Sequence, residues 1–111
     1  MGRPERSTNL PPIDRLFHAL GEPTRRRMVE MLSERPYSVS ALAEPLGITV
    51  TAVAQHLNIL AEAGLVRTEK LGRVRSCQID AKGLDLVRTW LDGRRSIWER
   101  RLDDLTDILK T

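Results

Sequence analysis

The stretch SVSALAEPLGITVTAVAQHLNILAEAGL, residues 38–65, contains the pattern that decides the fold. On both sides of a central turn its apolar residues recur at helical spacings, at Leu42, Leu46, Ile48, Val53, Leu57 and Leu60. Gly47 lies where the chain must reverse sharply, and the hydroxyl of Thr49 can cap the helix that follows. The pattern predicts a helix-turn-helix, whose second helix is the element that DNA-binding proteins place in the major groove.

The two helices of this motif are predicted over residues 39–46 and 50–63, with Ser38 or Ser40 capping the first. The second helix has a buried apolar side and an opposite side of small or amide residues, at Val50, Thr51, Ala54, Gln55 and Asn58. Asparagine and glutamine can bond bidentately to adenine, and threonine and valine methyls can contact the thymine methyl. We therefore expect this second side to face bases.

A β-hairpin is predicted directly after the second helix, which should end at Gly64. Two strand-like segments, residues 66–71 and 74–79, are joined by Gly72 and Arg73, a pair suited to a type II′ turn. Arg73 would then lie at the hairpin tip. A helix-turn-helix followed by a basic-tipped hairpin, or wing, is a more specific signal for DNA binding than either part alone.

Two further helices are predicted before the motif, one over residues 13–20 and one beginning near Pro23. Residues 25–27 are all arginines and fall in the first turn of the second helix, where cations interact unfavourably with the helix dipole. Two explanations remain open at this point. The arginines either bind phosphate or carboxylate groups, or they form a solvated face.

The last part of the chain, residues 82–110, is one long helical pattern that Gly93 interrupts as a candidate kink. Its apolar residues lie on more than one side, so a small domain cannot cover them all. We expect a partner subunit packed in coiled-coil fashion. Trp90 and Trp98 are either core residues or anchors of that interface, and the sequence favours the interface.

Length and composition indicate one soluble domain. The 111 residues suffice for a single modest core, predicted over residues 13–111, after a mobile arm at residues 1–12. The arm either has no function or contacts the DNA backbone through its arginines. No apolar run is long enough to span a membrane, and no apolar signal core is present, so we expect a cytoplasmic protein. The one cysteine, Cys77, fits a reducing compartment.

Charge is informative through its distribution. The formal net charge is only +3, which is weak evidence for a nucleic-acid partner. Residues 49–61 contain no acid, and residues 67–75 contain four basic residues against Glu69 alone. Acids collect near the C-terminus, at Asp103, Asp104 and Asp107. This separation predicts one surface that faces a polyanion.

Three stretches, LGEPTRRRMVEML (20–32), VSALAEPLGITVTAVAQHLNILAEAGLVR (39–67) and GRVRSCQI (72–79), resemble the ArsR family of bacterial winged-helix repressors. The tail WLDGRRSIWERRLDDL (90–105) is similar to a subgroup of that family. The resemblance implies a mainly α fold with a small β-hairpin and an obligate homodimer whose interface is formed by the terminal helices. It also implies that the fourth helix and the wing bind an operator in double-stranded DNA, usually to repress transcription. The two-fold symmetry of such a dimer predicts that the operator is an inverted repeat.

Carried onto this sequence, the family pattern assigns DNA binding to Thr49, Val50, Thr51, Gln55, His56, Asn58, Arg73 and Arg75. The expected dimer interface includes Leu16, Leu91, Trp98, Leu102 and Leu105. His56 has two interpretations. It either donates to a phosphate or base, which the resemblance favours, or is a partly buried, hydrogen-bonded histidine beside Leu57.

The chain departs from the metal-sensing members of the family. Those members carry a Cys-x-Cys pair in the third helix, or His, Asp and Glu ligands in the last, and this sequence has neither the cysteine pair nor a histidine in the last helix. Cys77, His18 and His56 are too few and too scattered for a tetrahedral site, so we expect no metal and no cofactor, and the inducer stays undefined. No catalytic constellation is visible. The alternatives are a repressor switched through Cys77 oxidation and a winged helix used only for protein contacts.

Overall fold

A computed structural model describes residues 10–110, which form five helices and a three-stranded sheet. The elements are α1 (Pro12–Leu20), α2 (Pro23–Glu34), β1 (Tyr37–Ser38), α3 (Val39–Leu46), α4 (Val50–Glu62), β2 (Val66–Leu71), β3 (Val74–Ile79) and α5 (Ala81–Lys110). The predicted mainly α fold with a hairpin is confirmed. Most of the predicted arm, residues 1–9, lies outside the described residues, and Pro12, placed in that arm from sequence, already begins α1.

The turn between α3 and α4 has the predicted chemistry. Gly47 adopts a left-handed φ of 68°, and its backbone N–H donates to the carbonyls of Ala43 and Glu44. The hydroxyl of Thr49 accepts from the backbone N–H of Ala52 at 3.0 Å and so caps α4. Of the two serines considered for α3, Ser38 is the cap.

The sheet contains one strand more than the hairpin alone. Its antiparallel order is β1-β3-β2, and the short β1 pairs Tyr37 with Cys77. Within the hairpin, Gly72 has a φ of 64° whereas Arg73 has no positive φ, which matches the predicted type II′ turn. The third strand was not predicted, because the sequence at this point indicates only a helix break.

The base of the hairpin is fastened at two points to the same short piece of chain. The backbone N–H of Asp80 donates to the carbonyl of Leu65 at 3.0 Å, and that of Gly83 donates to the carbonyl of Gly64 at 2.8 Å. Gly64 has a φ of 78°, as expected for a glycine that ends a helix. The hairpin therefore leaves and rejoins the helical body at one place, where α5 begins.

The core is aliphatic and lies where α1, α2, α3, α4 and the sheet meet. Leu16, Met28, Leu42, Val53 and Leu60 have no exposed surface. The prediction that Leu16 lies at a dimer interface is therefore wrong, because its side chain is already buried within a single chain and beside the backbone of α5. The neighbouring Phe17 is 42% exposed instead.

Helix α5 is the longest element. It continues through Gly93, so this glycine does not interrupt the helix. Thirty residues correspond to about 45 Å of helix. Its first turns pack on α1, whereas most of its large apolar side chains stay exposed. None of the helices in residues 10–110 combines the length and the hydropathy that a membrane span requires.

Candidate nucleic-acid interface

Helix α4 presents most of the predicted base-reading residues to solvent. Its buried side consists of Val53, Leu57 and Leu60, which anchor it to the core. Its exposed residues and its cap include the predicted set Thr49, Val50, Thr51, Gln55 and Asn58. These side chains carry no formal charge and no carboxylate, so a phosphate backbone can approach them without repulsion.

The hairpin brings its cations toward the same side of the molecule. Lys70 and Arg75 are paired across β2 and β3, and together with Arg73 they line an open cavity of about 350 Å³. A neighbouring cavity of about 280 Å³ joins Arg73 and Arg75 to Val50, at the first turn of α4. The tip of the wing and the start of α4 therefore form one continuous surface.

A groove of about 260 Å³ connects the middle of α4 to the sheet. It is lined by side chains from both sides: Val39, Ala54, Leu57, Asn58, Ala61, Thr68 and Arg75. Asn58 and Arg75, two predicted DNA-binding residues from different elements, thus border one concavity. Its lining combines apolar side chains with Asn58, Thr68 and Arg75, which suits a sugar–phosphate backbone with its apolar sugar carbons and anionic oxygens.

His56 differs from the other predicted residues because it is only partly exposed and already has a partner. Its Nδ1 lies 3.2 Å from Nη1 of Arg25, which belongs to α2. Both interpretations offered by the sequence therefore remain compatible with its position. The structure adds a residue, Arg25, that sequence reasoning did not connect to α4.

Hydrogen bonds to α1 explain why Arg25 and Arg26 lie in the first turn of α2. Nε of Arg25 donates to the carbonyl of Ala19 at 2.7 Å, and Nη1 of Arg26 donates to that of Leu20 at the same distance. These carbonyls belong to the last turn of α1, where a helix leaves its acceptors unpaired. Backbone carbonyls, a class of partner not considered from sequence, therefore account for two of the three arginines.

Glu22 completes this corner by capping α2. Its carboxylate accepts from the backbone N–H of Arg25 at 3.0 Å. This hydrogen bond holds the pKa of Glu22 below its usual value, with a smaller contribution from the charge of Arg25. The carboxylate is thus kept ionised at the helix end where negative charge is favourable.

Cys77 lies in the core and not on the surface shared by α4 and the wing. Its side chain is fully buried, with Thr68 and Tyr37 opposite it on the two neighbouring strands. Burial raises the pKa of the thiol, although the charge of Arg75 opposes the effect. Among residues 10–110, no three potential metal ligands of the His, Cys, Asp and Glu types come together.

The residues expected at a subunit interface form a stripe on α5. Leu91, Trp98, Leu102 and Leu105 are between 47% and 61% exposed. At 100° per residue they fall within roughly 60° around the helix axis. Their role at a subunit interface stays a prediction.

Comparison with known proteins agrees with this geometry. Residues 20–69 match a family described as a helix-turn-helix domain. The HTH-type transcriptional regulator Rv2034 of Mycobacterium tuberculosis is 38% identical over 96 residues, which cover 86% of this chain and 87% of the relative. An ArsR-like transcriptional regulator from Rhodococcus sp. RHA1 superposes with a TM-score of 0.80 at 30% identity, covering 89% of this chain and 91% of that chain.

A further solved structure, the ArsR family transcriptional regulator RHA00566, is 36% identical, with a TM-score of 0.74, and covers 79% of this chain and 91% of that chain. The chain belongs to the ArsR family. Within this ArsR-family fold, α3 and α4 are the helix-turn-helix, and β2 and β3 are the wing. The family predicted from sequence is confirmed, and the chain is a DNA-binding transcriptional regulator by fold and by relationship.

Proposed function

We propose that the protein is a homodimeric repressor that binds an inverted-repeat operator through α4 and the wing. In this proposal α4 lies in the major groove, where Gln55 and Asn58 contact base edges and Thr51 contacts thymine methyls. Arg73 and Arg75 of the wing contact the adjacent backbone. Its place of action is the cytoplasm, where its operator lies.

The observation that carries the proposal is the shared surface of α4 and the wing. Asn58 and Arg75 border one groove, and Val50 and Arg73 border the next. A helix with uncharged polar side chains, flanked by a hairpin with exposed cations, separates base reading from backbone contact. A winged helix used only for protein contacts would not require this division.

The dimer is supported by the exposed apolar side of α5. Trp98 is 61% exposed in the single chain, and Leu109 near the end of the helix is 78% exposed. Contiguous apolar patches of this kind mark interaction sites. The occupant that we propose is α5 of a second copy, which would bury the stripe in coiled-coil fashion.

A two-fold dimer determines the form of the operator. Each subunit presents one α4, so the two helices would enter successive major grooves about one helical turn apart. The two half-sites then repeat in inverted orientation. Repression follows by occlusion, because a dimer spread over both half-sites covers the DNA that the polymerase must occupy.

The test is a salt titration of binding to random duplex and to an operator located by footprinting upstream of the protein's own gene. For a DNA-binding dimer, the logarithm of affinity should fall by about 0.9 per phosphate contact for each logarithmic unit of salt. The footprint should show two protected half-sites of inverted sequence. A salt-independent affinity, or no binding to either duplex, would support the protein-contact function instead.

A further inference from the structure

Arg25 connects three helices through one side chain. It is only 7% exposed and lies at the start of α2. Besides the Nε bond to Ala19, its Nη2 donates to the carbonyl of His18 at 3.3 Å, so two of its nitrogens are occupied by the last turn of α1. The remaining one, Nη1, faces Nδ1 of His56 on α4 at 3.2 Å.

The direction of this last hydrogen bond follows from the chemistry of the two groups. A guanidinium has five N–H donors, no acceptor, and stays protonated in proteins. In the bond between Arg25 and His56, the arginine must therefore donate and Nδ1 of the histidine must accept. A neutral imidazole that accepts at Nδ1 carries its proton on Nε2.

We propose that Arg25 is a positioning residue that holds His56 in the Nε2–H tautomer, so that α4 offers a hydrogen-bond donor at a fixed ring orientation. The acceptor would be a phosphate oxygen or a purine N7 at the edge of the major groove. The role of this donor in DNA binding rests on the proposed function. The tautomer itself is a property of the free protein.

The position of Arg25 makes the arrangement rigid. Its Nε and Nη2 are held by carbonyls of α1, so the guanidinium plane cannot follow the imidazole if the ring rotates. With the other two nitrogens fixed in this way, Nη1 imposes one orientation on the ring. A single hydrogen bond to an exposed arginine would not impose it, because a long exposed side chain keeps its rotamer freedom.

The first experiment uses the free protein labelled with ¹⁵N. The sequence contains two histidines, so long-range ¹H–¹⁵N spectra show two rings, and His56→Gln assigns them. His56 should be present almost entirely as the Nε2–H tautomer, with a coupling across the hydrogen bond to Nη1 of Arg25. The exposed ring of His18 provides the reference tautomer ratio. A His56 ratio equal to that of His18 in the wild-type protein would overturn the proposal.

The matched variants are Arg25→Met and Arg26→Met. Each removes one positive charge and one 2.7 Å hydrogen bond to a carbonyl in the last turn of α1. Arg25→Met also removes the longer bond to the carbonyl of His18 and, unlike Arg26→Met, removes the partner of His56. The Nδ1–H form should appear in Arg25→Met and stay absent in Arg26→Met. The same spectrum from both variants would overturn the proposal. If Arg25→Met does not fold, the proposal is tested with Arg25→Lys and with the coupling across the hydrogen bond between Arg25 and His56 in the wild-type protein.

The second experiment measures operator affinity for the same pair. Arg25→Met should weaken binding about tenfold more than Arg26→Met, as expected for loss of an oriented charge-assisted donor. In a His56→Ala background the two changes should weaken it equally, because Arg25 then has no ring to orient. Equal losses in the wild-type background would overturn the role in DNA binding. If the wild-type protein bound no duplex, the proposed function would fail while the tautomer result stood.

Discussion

The rings of Phe17 and Trp90 meet edge to face, with centroids 5.2 Å apart and planes inclined by 78°. This contact joins α1 to α5, the two helices from opposite ends of the described chain. The guanidinium of Arg94 lies 5.0 Å from the centre of the same indole ring. Both rings stay partly exposed, so they extend the apolar surface of α5 onto α1. We predict that Phe17, in place of Leu16, contributes to the proposed interface.

Replacing Trp98 by alanine should weaken the dimer. The side chain is 61% exposed in one chain, and a central aromatic anchor contributes about 2 kcal/mol or more to an interface. Sedimentation equilibrium over a concentration series measures the change. Arg100→Ala is the control, because Arg100 lies about 200° around the helix from Trp98. Equal dimer mass for wild-type protein and Trp98→Ala would contradict the proposed interface.

Gln55→Ala and Arg73→Ala should affect DNA binding in different ways. Gln55 is exposed on α4, so its loss should lower the preference for operator over random duplex by about 1–3 kcal/mol. Arg73 is at the wing tip, so its loss should weaken all sequences alike and reduce the salt slope of a dimer by about 1.8. Fluorescence anisotropy with both duplexes measures these quantities. Uniform losses from both variants would contradict the assigned roles.

Gly83→Ala should destabilise the fold at the start of α5. An added Cβ would lie 2.6 Å from the carbonyl oxygen and 2.8 Å from the carbonyl carbon of Gly64, which are backbone atoms that cannot move aside cheaply. We expect a loss of about 1–3 kcal/mol in the free energy of unfolding, measured with urea at fixed protein concentration. Gly93→Ala is the control.

Gly93 belongs to the same helix, but beyond its chain neighbours and its own helical backbone no atom of residues 10–110 lies within 4 Å of its added Cβ. Alanine at this position should therefore raise the free energy of unfolding by about 0.5–1 kcal/mol, the helix preference for alanine over glycine. Opposite signs for the two glycines are the expected result. Similar destabilisation by both would show that the close approach of Gly64 is not the cause.

Cys77 should react slowly in the folded protein. Burial removes access to the sulfur and raises the pKa of the thiol, so the thiolate fraction at a given pH falls below that of the unfolded chain. We expect iodoacetamide to label the native protein at least about a hundredfold more slowly than the protein in urea. Cys77→Ala defines the background. Rapid native labelling accompanied by a change in operator affinity would favour the redox-switched repressor.

The local elements could be predicted because their signals are local. The cap at Thr49, the left-handed glycines at Gly47 and Gly64 and the turn at Gly72 each follow from one residue and its immediate neighbours. The hairpin bounds also agree with the structure. Strand β1 could not be predicted in this way, because two residues carry no alternation and Tyr37 is ordered by its pairing with Cys77 forty positions later.

The site was predicted less completely because its contacts are long-range. The unfavourable position of the arginines after Pro23 indicated either that they have binding partners or that they form a solvated face. Nothing local connects Arg25 with His56, which is thirty-one positions away. The apolar stripe of α1 likewise gives the side that is buried, without telling whether the chain's own core or a partner covers it. For that reason Leu16 was predicted at the interface, although it lies in the chain's own core.

The fastening of the hairpin at Gly64–Leu65 and Asp80–Gly83 has an evolutionary consequence. Because both ends of the wing are secured to one short piece of chain, its outer turns can be lengthened, shortened or recharged without disturbing the helices. Related proteins can then diverge in the reach and charge of this projection while inheriting the same scaffold. The outer part of the wing, beyond the buried Cys77 and its pairing with β1, is in this sense exchangeable, and a hairpin tip transplanted from a relative should fold in place.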